Sequence, residues 1–280
     1  MRVCFNNMEP YEAILQSYHD RQLPDAKDEL EIAFIERKLS HSRDVLHAGE
    51  ILMDMIPDFA DSDDAELIRK AKIALLLHDL GRFYQFKDGK FDHGMDHGHI
   101  GAELIRHTEN ISDPEIYHAV NVHDKISFDE MFNHPEYQSF DDKMKERTYL
   151  LARLVKDADM YANLKLRTEI DVVMPVRLID GLSFTPEVMT AFNENRLVNR
   201  YDVKTWSDVY VSIFAWTSAF NFDETKHLIV ANDLFGKLLV LFRKYIETKK
   251  RKKEIDPTVI ANAVNVAEDI GKTLRERGYL

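Results

Sequence analysis

The chain has 280 residues, 45% of them apolar, which is enough for a substantial buried core and too many for a disordered chain. Its formal charge of −12 disfavours general affinity for nucleic-acid phosphates or for an anionic membrane. A single cysteine, Cys4, excludes an internal disulfide and a thiolate-built metal site. The start has no apolar signal core, and the longest apolar runs are too short to span a bilayer, so a soluble cytoplasmic protein is expected.

Apolar residues recur at spacings of three and four almost throughout, while alternating runs are scarce, and this predicts an all-α fold. In chain order, helices are predicted over 10–19, 28–57, 64–79, 97–108, 114–124, 144–166, 185–194, 205–219, 223–247 and 257–277. Asp113-Pro114, Thr185-Pro186 and Asp256-Pro257 each place a capping side chain before a proline suited to the first helical turn. Two long connections, 81–96 and 127–141, are read as loops that rim a site. The aromatic-rich helix around Val209, Ile213, Phe214 and Trp216 reads as core, and the run Lys249 to Lys253 as a solvated stretch between helices.

Within this pattern a few polar groups stand where apolar residues are expected. The run Ala74-Leu75-Leu76-Leu77 delivers His78 and Asp79 and then stops at Leu80-Gly81-Arg82, where Gly81 suits a sharp helix exit. His41 continues a stripe with Val45, Ala48 and Leu52. His97 continues one with Gly101, Leu104 and Ile105, and His123 extends Ile116, Ala119 and Val120. Asp159 lies between Val155 and Ala162, but Asp157 also falls on an apolar face, with Leu150, Leu154 and Leu164, so periodicity alone does not choose between them. Burying such groups costs several kcal/mol unless something pairs with them, and a divalent cation gathered from several helices is an efficient partner. All these residues lie between 41 and 159, which suggests a core over 1–166 and a helical extension over 167–280 that packs on it.

The order His, His-Asp, His, His, Asp, with Leu76-Leu77-His78-Asp79-Leu80-Gly81-Arg82 at its centre, resembles the HD-domain superfamily of metal-dependent phosphohydrolases. His41-Ser42-Arg43-Asp44-Val45 resembles the family's first-histidine helix, and His97-Gly98-His99-Ile100-Gly101-Ala102 its His-x-x-x-Gly-Ala helix. Lys156-Asp157-Ala158-Asp159 resembles its closing helix, whose ligand follows alanine and therefore points to Asp159. The resemblance implies a first metal held by His41, His78, Asp79 and Asp159, and a second that Asp79 would bridge to His97 and His123. One departure bears on the second metal, since many binuclear relatives carry a His-His pair where this chain has His123-Asp124. Mixed imidazole and carboxylate ligands suit Mn, Fe, Co, Ni or Zn, with Mg a further option.

The expected activity is hydrolysis of a phosphomonoester or phosphodiester of a small phosphorylated metabolite, a nucleotide or its derivative, by metal-activated water, with no polymeric nucleic acid and no membrane as partner. An oxygen-using di-iron enzyme and a non-catalytic ligand-binding signalling module are the alternatives that the same fold allows. Asp79 and Arg82 are expected at the reacting phosphate, the guanidinium matching phosphate geometry, with Lys125 near the substrate or leaving group, while His93 and His99, close in sequence to the same helices, are read as exposed-loop or solvent-face positions. Phe83, Tyr84, Phe86 and Phe91 are expected to form a mini-core of their loop. His19, His47, His107, His118, His134 and His227 share no stripe with the ligands and are expected at exposed or core-edge positions.

Overall fold

The computed structural model describes residues 8–87, 90–92, 94–109, 111–169, 181–251 and 255–280. Cys4, His93, Lys252 and Lys253 lie outside the described residues, as do the side chains of Phe86 and Phe91. The fold is all-α, and its contacts divide it into two compact units, Met1–Ala162 and Asn163–Leu280.

The first unit is organised around α4 (Ala65–Leu77), whose residues Ile73, Ala74, Leu75, Leu76 and Leu77 are all fully buried. A helix end that is apolar on every side has to be surrounded. Around it pack α1 (Glu9–Gln22), α2 (Glu29–Met55) and α6 (Pro114–Asn121). Burying each of those leucines is worth roughly 2 kcal/mol in hydrophobic transfer. The starts are set by side-chain caps: Asp28 accepts from Glu31 N at 2.8 Å, Asp64 from Leu67 N at 3.0 Å and Asp113 from Glu115 N at 3.0 Å. Lys70, deep on α4, ties that helix to the start of α6 by reaching the cap Asp113 Oδ2 at 2.7 Å and Glu115 Oε2 at 3.1 Å.

The predicted loop over 81–96 holds a 3-10 turn at Leu80–Tyr84 and a short antiparallel pair, β1 (Phe86–Lys87) with β2 (Lys90–Phe91). Helix α5 (His97–Glu103), capped by Asp96 on His99 N at 3.1 Å, runs on through a π-helical turn to Thr108. A single-turn helix α3 (Pro57–Ala60) follows α2, and two more, α7 (Asp129–Phe132) and α8 (Pro135–Gln138), occupy the predicted loop over 127–141. The long helix α9 (Asp142–Glu169) closes the unit and carries the boundary between the two.

The second unit contains α10 (Pro186–Asn193), α11 (Trp206–Phe214), α12 (Asp223–Ala231), α13 (Leu234–Lys250) and α14 (Pro257–Glu276). Val209, Ile213 and Phe214 are buried, as the aromatic stripe predicted. Thr185 precedes α10 but makes no side-chain cap, because its hydroxyl donates instead to buried Asp208 at 2.7 Å. The predicted helix over 223–247 is two helices. Asp233 takes the left-handed conformation at φ 50°, which aspartate tolerates better than most residues and which interrupts the helical ladder. No helix among the described residues is long and apolar enough to cross a membrane.

Candidate metal centre

Six side chains converge inside the first unit, and most stand at helix ends. His41 lies midway along α2 and Asp159 on α9. His78 and Asp79 form the exit turn of α4, His97 is the first residue of α5, and His123 sits in the turn after α6. The helix predicted over 114–124 therefore stops at Asn121. The four histidines and Asp79 are buried, and the Asp159 side chain is 20% exposed.

Asp79 stands at the centre and divides its two oxygens. Oδ2 faces His41 Nε2 at 3.8 Å and His78 Nε2 at 3.7 Å, whereas Oδ1 faces His97 Nε2 and His123 Nε2, each at 3.5 Å. Asp159 Oδ1 stands opposite, accepting from His41 Nε2 at 2.8 Å and lying 3.5 Å from His78 Nε2. Ligand atoms of His41, His78 and Asp79, of His78, His123 and Asp159, and of Asp79, His97 and His123 lie within 4.8 Å of one another in each trio. Asp157 is fully buried but joins none of these groups, so Asp159 is the acid of α9 that the structure brings to the cluster.

Ring orientation decides what these nitrogens can do. His78 Nδ1 donates to Leu75 O at 2.9 Å and His123 Nδ1 to Val120 O at 2.7 Å. A carbonyl only accepts, so the proton is fixed on Nδ1 and the Nε2 lone pair is turned into the cluster, as metal-binding histidines require. The Nε2 atoms of His78, His97 and His123 are buried without a hydrogen-bond partner. Each such orphan costs on the order of 1–3 kcal/mol, and three in one place beside two carboxylates fit a divalent cation. His97 Nδ1 meets Asp124 Oδ2 at 3.1 Å, short of hydrogen-bond alignment. Asp124 thus stands behind the His97 ring, where a carboxylate can orient it.

Electrostatics leave the set poised for a cation. Burial pushes the Asp79 carboxyl up, but Lys38, His78 and Arg82 around it outweigh that and hold it well below the usual range. For Asp159 the same upward push is overcome by the hydrogen bond from His41 and by the nearby His78 ring, and its carboxyl too is held well below the usual range. Burial lowers His41 and, with Arg82 nearby, takes His97 well below its ordinary value. Both acids are ionised, and these two rings are neutral, near neutral pH.

Lys38 is a member that sequence reasoning did not single out. It lies one turn before His41 on α2, and its Nζ is 2.9 Å from Asp79 Oδ2. The i, i+3 spacing to a ligand was the available signal. Arg82 borders the cluster from the other side, its Nε 3.4 Å from Asp79 Oδ1. Lys125 pairs with Asp96, the α5 cap, and lies 3.6 Å from Asp124 Oδ1, so its ammonium is engaged with residues around the ligands and with none of the six. His99 is exposed and reaches Asn121 Oδ1 at 3.1 Å. Phe83 is buried against Tyr18, and Tyr84 is partly exposed.

A second group, His118, His134 and Glu136, also brings three donor atoms together. His118 is fully buried, contrary to the exposed or core-edge position expected for it, because Glu136 Oε2 supplies a partner for its Nε2 at 3.1 Å. A metal is poorly served here. His134 Nδ1 already accepts from Glu136 N at 3.2 Å, and the Arg106 guanidinium holds the same Glu136 oxygen at 2.8 Å. Burial, with His134 and Arg106 nearby, brings the His118 pKa down to about 4 from 6.5, against the opposing pull of Glu136. A base depressed by folding adds stability above its unfolded pKa and loses it as pH falls toward the folded value, here between about 6.5 and 4. We expect the unfolding free energy to drop by up to about 3 kcal/mol across that window, with a visibly flatter profile in His118→Gln. Denaturant melts of both proteins from pH 7 to 4.5 check this, and parallel profiles would remove His118 as the cause.

A protein-family model described as HD domain matches residues 39–164. No curated protein and no solved structure matches the chain.

Proposed function

Since the chain belongs to the HD-domain superfamily, whose members are generally metal-dependent hydrolases, we propose that it is a phosphohydrolase acting on a small phosphorylated metabolite, a nucleotide or its derivative. The observation that carries this reading is the division of Asp79, with Oδ2 toward His41 and His78 and Oδ1 toward His97 and His123. One carboxylate placed between two sets of imidazoles suits a pair of cations better than one.

In this reading His41, His78, Asp79 and Asp159 would hold a first divalent ion, and Asp79, His97 and His123 would hold a second. Such ions lower the pKa of coordinated water toward neutrality and offset the charge that grows on phosphoryl oxygens. The chain's own groups do the rest. The carbonyls of Leu75 and Val120 fix the tautomers of His78 and His123, Asp124 backs His97, and Arg82 at the rim is placed to take a phosphoryl oxygen. The net charge of −12 favours a small substrate over a polyanion.

Phosphate release from nucleotides and phosphorylated metabolites, measured with Mn, Co, Ni or Mg, tests the reading. We expect release from at least one substrate class, abolished by a chelator and restored by metal. Stoichiometric metal with no release from any compound would overturn it, and substrate-dependent oxygen uptake in its place would assign the site to oxygen chemistry.

A further inference from the structure

The buried carboxylate at the middle of the cluster already has a cation on it. Lys38 Nζ lies 2.9 Å from Asp79 Oδ2, the oxygen that faces His41 and His78. The Lys38 side chain is 15% exposed, so this ion pair is largely withdrawn from water. Pairing it there is costly unless its charge is used. The ammonium also lies 5.8 Å from the centre of the Phe34 ring, at the outer edge of a cation–π contact, so Asp79 is the stronger of these two contacts.

Resting on the phosphohydrolase reading, we propose that Lys38 is a positioning residue with two partners. Without metal its ammonium occupies Asp79 Oδ2, and a metal ion taking that oxygen displaces it. The freed ammonium then binds the terminal phosphoryl group of the substrate. Several points support the exchange. Asp79 Oδ2 cannot offer one lone pair to a metal and keep a 2.9 Å contact with a full positive charge without mutual repulsion of the two cations. The stem of Lys38 carries four rotatable bonds and one mobile point charge, so the head can leave at low cost, which a guanidinium fork does less readily. Arg82 flanks the other oxygen of the same carboxylate, at 3.4 Å from Oδ1, so Lys38 and Arg82 each meet one oxygen of Asp79. Two cations around one phosphoryl position suit a dianionic terminal phosphate, so this arrangement favours phosphomonoesters over diesters.

The test measures binding before turnover. Calorimetric titration of Mn(II) into the metal-free full-length protein is compared among wild type, Lys38→Met and Lys38→Gln, with thermal melts confirming that each is folded. The expected result is about tenfold tighter uptake of the first ion in both variants, since the competing charge is gone. Titration of inorganic phosphate into the Mn(II)-loaded proteins should then show about tenfold weaker binding in both variants, and Lys38→Arg should recover part of it. Unchanged or weaker metal affinity in both variants, with wild type binding metal normally, overturns the role of Lys38 and leaves the phosphohydrolase reading intact. Tighter metal with unchanged phosphate affinity overturns the phosphate half of the proposal. If wild type and both variants take up no Mn(II), Fe(II), Co(II), Ni(II) or Zn(II), the functional reading falls and this proposal falls with it.

Discussion

Under the phosphohydrolase reading, Asp79→Ala is expected to cut metal-dependent phosphate release on the order of a thousandfold and to bind neither of the two proposed ions. Asp79 faces all four imidazoles at 3.5–3.8 Å, His41 and His78 with one oxygen and His97 and His123 with the other, whereas Asp159 stands by His41 and His78 and groups with His123 but not with His97. A bound metal supplies several kcal/mol of charge stabilisation, and about 4 kcal/mol is a factor of a thousand in rate. The substitution also strips Lys38 and Arg82 of their shared carboxylate, 2.9 Å and 3.4 Å away. The variant therefore carries uncompensated positive charge in the cavity and should melt at a lower temperature than wild type as well. Asp79→Asn separates the two effects, since it keeps the shape and one acceptor but removes the charge. Metal content by elemental analysis, taken beside turnover of the best substrate, reads the result. A variant that retains two ions per chain would remove Asp79 from the bridging position.

The parts of this site that could be read from the sequence are those in which a polar residue interrupts an apolar repeat. His41, His78, Asp79, His97 and His123 each break a stripe, and the contrast survives because the surrounding helices keep strict three-and-four spacing. Other features depend on partners far away in the chain. Lys38 is an unremarkable helix lysine until Asp79, 41 residues on, is brought beside it. His118 breaks no pattern, yet it is fully buried because Glu136 and Arg106 meet it from the turn of α8 and the end of α5. Asp124 counted as a missing second histidine, while in the fold it backs His97. The choice between Asp157 and Asp159 was undetermined by periodicity for a related reason. The two acids, two residues apart, point to different sides of α9, each beside apolar neighbours, and the position of His41 and His78 distinguishes the one that reaches the cluster. The break at Asp233 depends on a backbone angle that polar residues allow without announcing it.

Gly81 carries the second large effect, and its reason differs from the one that the sequence suggests. A glycine after a helical run ordinarily marks a left-handed exit, but Gly278 is the glycine with positive φ among the described residues, so Gly81 is needed for space instead. A Cβ at Gly81 would meet His97 O at 2.2 Å, Gly101 N at 2.9 Å and His97 C at 3.0 Å. All three are backbone atoms, so no side chain can swing aside. The 3-10 turn that follows His78 and Asp79 therefore touches the first turn of α5 main chain to main chain, and this contact sets the distance from Asp79 to His97. Gly81→Ala has to push α5 away. We expect a cost of about 2 kcal/mol, which is roughly a 4–8 °C fall in melting temperature for a domain of this size. Because the displaced element carries His97 and the fixed ones carry His41, His78 and Asp159, the second ion should be lost before the first. Metal titration of Gly81→Ala should therefore end near one ion per chain if wild type takes the two ions proposed for it, and a variant that keeps both the melting temperature and the metal stoichiometry of wild type would show that α5 is held in register by something other than this contact.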